Sequence, residues 1–183
     1  MNQPANPQDI TDFWFSDQTK PLWFKKSSDF DREVKRRFLD VYYQAAAGEL
    51  NHWRDLATNA LALIIVLDQF PRNMFRNHPR AFATDEQAVA LTKYALERNY
   101  QQNLSVEEQA FLFMPLMHSE DKQDQRQCVE LFRELGKEDN LKFAIKHQKI
   151  IDRFGRFPHR NQILGRESTL EEQEFITQPG SSF

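Results

Sequence analysis

A chain of 183 residues is long enough for one real core, and a net charge of −3 gives no global electrostatic reason to expect nucleic acid or an anionic membrane as partner. The single Cys128 excludes an internal disulfide and a cysteine-built zinc cage, and the longest strongly apolar run, Ala60 to Leu67, falls far short of the roughly 20 residues that span a bilayer. Five glycines against sixteen phenylalanines favour helices with few tight turns, and no signal-peptide pattern precedes Asp9, so the expectation is a soluble, cytoplasmic protein.

In chain order, Asn6-Pro7 reads as a cap followed by proline at the first helical position, opening a short helix through about Phe15. The aromatics Phe13, Trp14, Phe15, Trp23 and Phe24 then read as core, because too few basic residues interleave them for a base-stacking platform. Ser28 is the expected cap of a helix from Asp29 to Ala47 that stops at Gly48, with Phe30, Val34, Phe38, Val41, Tyr42 and Ala45 as its apolar stripe. From about Leu56 to Phe70 the pattern changes, because Leu61 to Leu67 is apolar on every side, which predicts a central buried helix ending at the Pro71 break, with a buried strand as the competing reading.

Thr84 with Gln87 and Ser105 with Glu108 resemble capping boxes, the second opening the helix that enters the Pro115 break. Ser119 is placed as the cap of a helix running to Leu135 and Gly136, Asp139 as the cap of one ending at Gly155, and Ser168 with Glu171 at the start of a last helix. Residues 178–183 read as a loose tail. No period-2 strand pattern appears, so the expected fold is a single all-α domain over residues 1–183, about eight helices joined as antiparallel hairpins. No clean repeat of about 34 residues is present.

The polar residues crowd beside the three prolines Pro71, Pro115 and Pro158. Helical spacing puts Asp121 and Gln125 on the inward stripe of Cys128, Phe132 and Leu135, and His147 on a face with Phe143, Ile150, Ile151 and Phe154. Asp68, at the expected end of the buried helix, needs a cation, and Arg72 is close in sequence. Residues 117–140 hold seven acids and four bases, whereas residues 140–166 hold seven bases and one acid. One account pairs Glu120, Asp121 and Asp124 with Arg153, Arg156 or Arg160 to close a bundle.

The other account leaves charge for a ligand. The candidate binding set is Asp68, Arg72, Asn73, His118, Glu120, Asp121, His147, Arg153, Arg156, His159, Arg160 and Asn161, gathered as one polar centre for a small anion or a peptide segment. A hydrolase or lyase pairing a histidine with Asp68, Glu120 or Asp121 is the alternative, and a scaffold with a buried ion network is the third. Whether the chain is an enzyme stays open on the sequence. There is no His-x-x-x-His, no cysteine pair and no glycine-rich phosphate loop, so no metal and no cofactor are expected.

Three tracts carry a resemblance: Leu67-Asp68-Gln69-Phe70-Pro71-Arg72-Asn73-Met74-Phe75-Arg76 with Arg80-Ala81-Phe82-Ala83-Thr84-Asp85; Phe113-Met114-Pro115-Leu116-Met117-His118-Ser119-Glu120-Asp121; and His147 through Ile151-Asp152-Arg153-Phe154-Gly155-Arg156-Phe157-Pro158-His159-Arg160-Asn161 to Leu164-Gly165-Arg166. With Phe13-Trp14-Phe15 and Trp23-Phe24 they resemble the bacterial "domain of unknown function 924" family over nearly the whole chain; Lys122-Gln123 is less typical of it. The resemblance implies a tetratricopeptide-like right-handed superhelix and a soluble bacterial protein. It implies no activity and transfers no catalytic residue.

Overall fold

The computed structural model describes residues 5–181, and among them every regular element is helical. The elements are α1 (Pro7–Trp14), α2 (Ser28–Ala46), α3 (Ala57–Ile64), α4 (Phe70–Met74), α5 (Asp85–Glu97), α6 (Val106–His118), α7 (Lys122–Leu135), α8 (Glu138–Phe154) and α9 (Leu170–Ile176), with short 3₁₀ turns between several of them. α3 passes into α4 through a π-helical turn, Ile65–Gln69, in which the Phe70 amide donates to the Ile65 carbonyl five residues back. Counted as continuous rods, the described elements match the expected eight.

The chain divides into two compact units, one running to Arg76 and including Arg80–Pro115, the other comprising Asn77–Pro79 and the chain from Leu116. In the first, α1 packs on α3, α2 on α4 and α3 on α5. The apolar run folds as expected: Leu61, Ile64 and Ile65 are fully buried. Phe38 stacks on Phe70 with centroids 4.8 Å apart, and Trp14 meets Phe111 edge-on at 5.6 Å. Each such ring removed from water stabilises the unit by about 1.5–3 kcal/mol. In the second unit α7 and α8 pack along each other, linked by Gly136-Lys137, and Ile150, Ile151 and Phe157 form a core flanked by Phe154 and Phe175.

Two predicted breaks are not breaks. Pro71 and Pro115 both lie within helical stretches. Proline removes an amide donor and crowds the carbonyl four residues back, so a helix that runs through it must settle that carbonyl elsewhere. At Pro71 that carbonyl belongs to Leu67, and the buried Thr84 hydroxyl donates to it at 2.6 Å. At Pro115 the buried Thr92 hydroxyl donates at 2.9 Å to Leu112, three residues back. Thr84 occupies its expected N-cap position, yet its side chain makes no cap bond because the Leu67 carbonyl takes it.

Other ends shift by a residue or two. Ser27 caps α2 in place of Ser28, and Thr169 with Glu172 forms the capping box of α9 in place of Ser168 with Glu171. α8 begins at Glu138, ahead of the expected Asp139 cap. Asn6, the Ser105–Glu108 box, and the left-handed stops Gly136 (φ +72°) and Gly155 (φ +70°) fall where the sequence places them. Of the tail expected to be loose, Ser181 is buried and its hydroxyl donates to Ile176 O at 3.0 Å, while residues 182–183 lie outside the described chain. No helix of the described residues is long and apolar enough to cross a membrane.

Candidate functional site

Asp68, Arg72 and Asn73 belong to the first unit and the other nine candidate residues to the second, so the two groups are described separately. Asp68 does not end a helix. It sits in the π turn, completely buried, with the Gln69 amide on one carboxylate oxygen at 2.6 Å and Arg72 3.3 Å from the other. Arg72 also binds Asp85 bidentately at 3.0 Å on both arms. Burial opposes the Arg72 charge, and the carboxylates of Asp68 and Asp85 more than restore it, leaving its pKa above the ordinary arginine value. Asn73 donates to Asp31 at 2.8 Å, where Arg76 forms a second fork at 2.7 Å on both arms.

In the second unit the expected inward stripe of α7 holds at Gln125, Cys128 and Phe132 but does not extend back to Asp121. Asp121 is exposed, because it is the N-cap of α7 and accepts from the amides of Gln123 and Asp124. The carboxylate that turns inward is Asp124, which receives the Ser119 hydroxyl at 2.7 Å. Gln125 is buried as expected. Its Nε2 group lies 3.2, 2.8 and 2.7 Å from the carbonyls of Leu116, Met117 and Ser119, which ties the loosening end of α6 to α7. Phe143, expected inward, is 49 % exposed.

Glu120 receives Arg166 in a fork of 2.7 and 3.0 Å and the amide of Phe157 at 2.8 Å. Burial pushes its carboxyl up, but Arg166 and that amide outweigh it and hold the pKa below the ordinary value. Arg166 also reaches Asn161 Oδ1 and Phe157 O, so one guanidinium gathers the loop that follows Pro158. Arg156 forks onto Glu172 at 2.7 and 2.8 Å, and Asn161 donates to the same carboxylate. These bonds, Arg156 foremost, hold Glu172 at a pKa of about 2. Arg153 pairs with Glu171 at the surface.

The expected pairing of acids and arginines is therefore built with different partners. Arg166 and Glu172 were not among the candidates. Glu172 had a readable signal, the Thr-x-x-Glu box; Arg166 had none beyond its place in the third tract.

The histidines form the other half of the site. His147 is 5 % exposed, its Nδ1 donates to Phe143 O at 2.8 Å, and its ring meets Phe157 edge-on at 5.5 Å. Its pKa is lowered to about 3, by burial first, against the opposing bond to Phe143 O, and then by the proximity of His118, Arg160 and His159 in that order. His159 lies against Phe157 at 5.7 Å and is pushed down to about 4, by burial first and Arg160 second. The Arg160 guanidinium rests over Phe157 at 4.6 Å. Two imidazoles and an arginine thus surround one buried phenyl ring, and His118 lies close enough to His147 to disfavour its protonation. A ring that stays neutral to such low pH is a weak general base. Among the described residues no group of three or more His, Cys, Asp or Glu side chains could hold a metal ion.

The profile of a bacterial protein family of unknown function, DUF924, matches residues 10–180. The chain belongs to this family. Like it in fold is the solved structure of a protein of unknown function, ATU0120, from Agrobacterium tumefaciens: 40% of residues are identical, the match covers 93% of this chain and 96% of that one, and the TM-score is 0.89. Among curated proteins none matches. The DUF924 assignment covers all twelve candidate residues and brings no activity with it.

Proposed function

We propose that the protein is a soluble cytoplasmic binding domain that takes a small anion, a phosphate or carboxylate compound, at the basic cluster His118, His147, His159 and Arg160 of the second unit. The observation that carries this reading is the gathering of His147, His159 and the Arg160 guanidinium around the Phe157 ring, with His118 close enough to disfavour the charge on His147. Like charges gathered at one buried ring oppose their own protonation, and an anion placed among them reverses that opposition. The tetratricopeptide-like stacking of hairpins belongs to the same reading, since such folds offer concave faces to ligands.

The test is calorimetric titration with inorganic phosphate and with succinate between pH 7.5 and 5. An anion that raises the imidazole pKa values binds more tightly as pH falls, so affinity is expected to strengthen across that range. Arg160→Met and the half-buried His118→Phe should each weaken binding by about tenfold while helicity is kept. No phosphate or succinate binding at pH 5, or binding unchanged in both variants, overturns the reading.

A second reading, a polar core that only holds helices, is favoured by the Glu120–Arg166 and Glu172–Arg156 forks. It predicts that neither anion changes stability at any pH.

A further inference from the structure

The first unit carries a cleft of about 500 Å³ between α1 and α2, lined by Asp9, Asp12, Phe13, Asp29, Glu33 and Arg37 among others. A second hollow of about 380 Å³ adjoins it at Asp12 and is lined by Phe15 and Glu108. The lining is acidic around aromatic rings, which is opposite in character to the cluster of the second unit.

Not all of these acids are committed. Asp29 binds Arg32, and Glu33 holds Arg36 at 2.9 and 3.1 Å. Asp9, in the first turn of α1, suits the helix dipole there but makes no side-chain hydrogen bond or ion pair among the described residues. Asp12, one turn later on the same face, has only the neutral amide of Gln8 at 2.7 Å. Two carboxylates at this spacing repel each other unless a cation joins them.

The chain itself displays the cation such a cleft accepts. The guanidinium of Arg37 lies over the Phe13 ring at 4.6 Å, with Glu33 3.9 Å from one of its nitrogens, and its side chain is 42% exposed. A planar cation on an aromatic face beside a carboxylate is the arrangement that distinguishes arginine from lysine. Held loosely at the surface, it is replaceable by the same group from outside.

We propose that the cleft between α1 and α2 docks an arginine side chain of a basic peptide segment, which displaces Arg37 from Phe13 and spans Asp9 and Asp12. The charge complementarity is specific to cations, and the ring selects a planar one.

The test is fluorescence anisotropy at low salt with a short labelled Gly/Ser peptide carrying arginines, its lysine counterpart and its glutamate counterpart. The arginine peptide is expected to bind several-fold more tightly than the lysine peptide, and the glutamate peptide not at all. Arg37→Ala, at an exposed position that folding tolerates, should tighten the arginine peptide by about fivefold, whereas Asp9→Asn with Asp12→Asn should weaken it by about tenfold. Equal binding of the arginine and lysine peptides, no tightening in Arg37→Ala, or full binding in the double asparagine variant would overturn the proposal. None of these outcomes depends on the phosphate experiment, which addresses other residues in the other unit.

Discussion

Asp68 is buried to the last atom, and its charge is sustained by Arg72, which it shares with Asp85. Removing one partner of a buried ion pair leaves a charge with no compensation, a loss of about 3–5 kcal/mol. Arg72→Met is therefore expected to lower the urea unfolding free energy by about that amount, whereas Arg72→Met combined with Asp68→Leu should recover part of it. A double variant as unstable as the sum of the two single changes would show that the pair does not act as a unit. That Asp68 needs a cation and that Arg72 is near were legible in the sequence, because a carboxylate in an all-apolar run has few other solutions. Asp85 and Asp31 were not, since their contacts join residues far apart in the chain, and periodicity describes one helix at a time.

At the scale of elements, the helix faces and the glycine stops were legible because both depend on local geometry: the 3.6-residue period and the left-handed conformation. The prolines misled for a physical reason. A proline break is a local rule, and it yields when a distant side chain settles the freed carbonyl, as Thr84 does for Leu67; at Pro115 the hydroxyl of Thr92 bonds the adjacent Leu112 carbonyl. The one-turn error at Asp121 has the same root, since capping geometry and not the apolar stripe decides where that carboxylate points. A double-mutant cycle tests the link at Pro71. Thr84→Val should cost about 1–3 kcal/mol with Pro71 present, and about 1 kcal/mol less in a Pro71→Ala background, where a restored amide serves the Leu67 carbonyl. Identical costs in the two backgrounds would sever the connection.

For the molecule as a whole, the buried imidazoles impose a direction on acid stability. Unfolded histidines take up protons near pH 6.5, while His147 and His159 resist until about 3 and 4. Their folded-state pKa values are lowered, so the stability tied to their neutral forms is complete above about pH 6.5 and is lost as pH falls through 6 and 5. The slope for His147 alone approaches about 1.4 kcal/mol per pH unit. Urea midpoints between pH 7.5 and 4.5 should fall accordingly, and His147→Phe should flatten the curve; a wild-type midpoint constant over that range would contradict it. Watching such a transition requires knowing which unit a signal reports. The chain's tryptophans, Trp14, Trp23 and Trp53, and its tyrosines, Tyr42, Tyr43, Tyr94 and Tyr100, all lie in the first unit, and the second is left with phenylalanine alone. Indole and phenol emission thus originate in the first unit alone, so unfolding of the second, which holds His147 and Arg160, is followed instead by backbone circular dichroism and the weak near-ultraviolet bands of its phenylalanines.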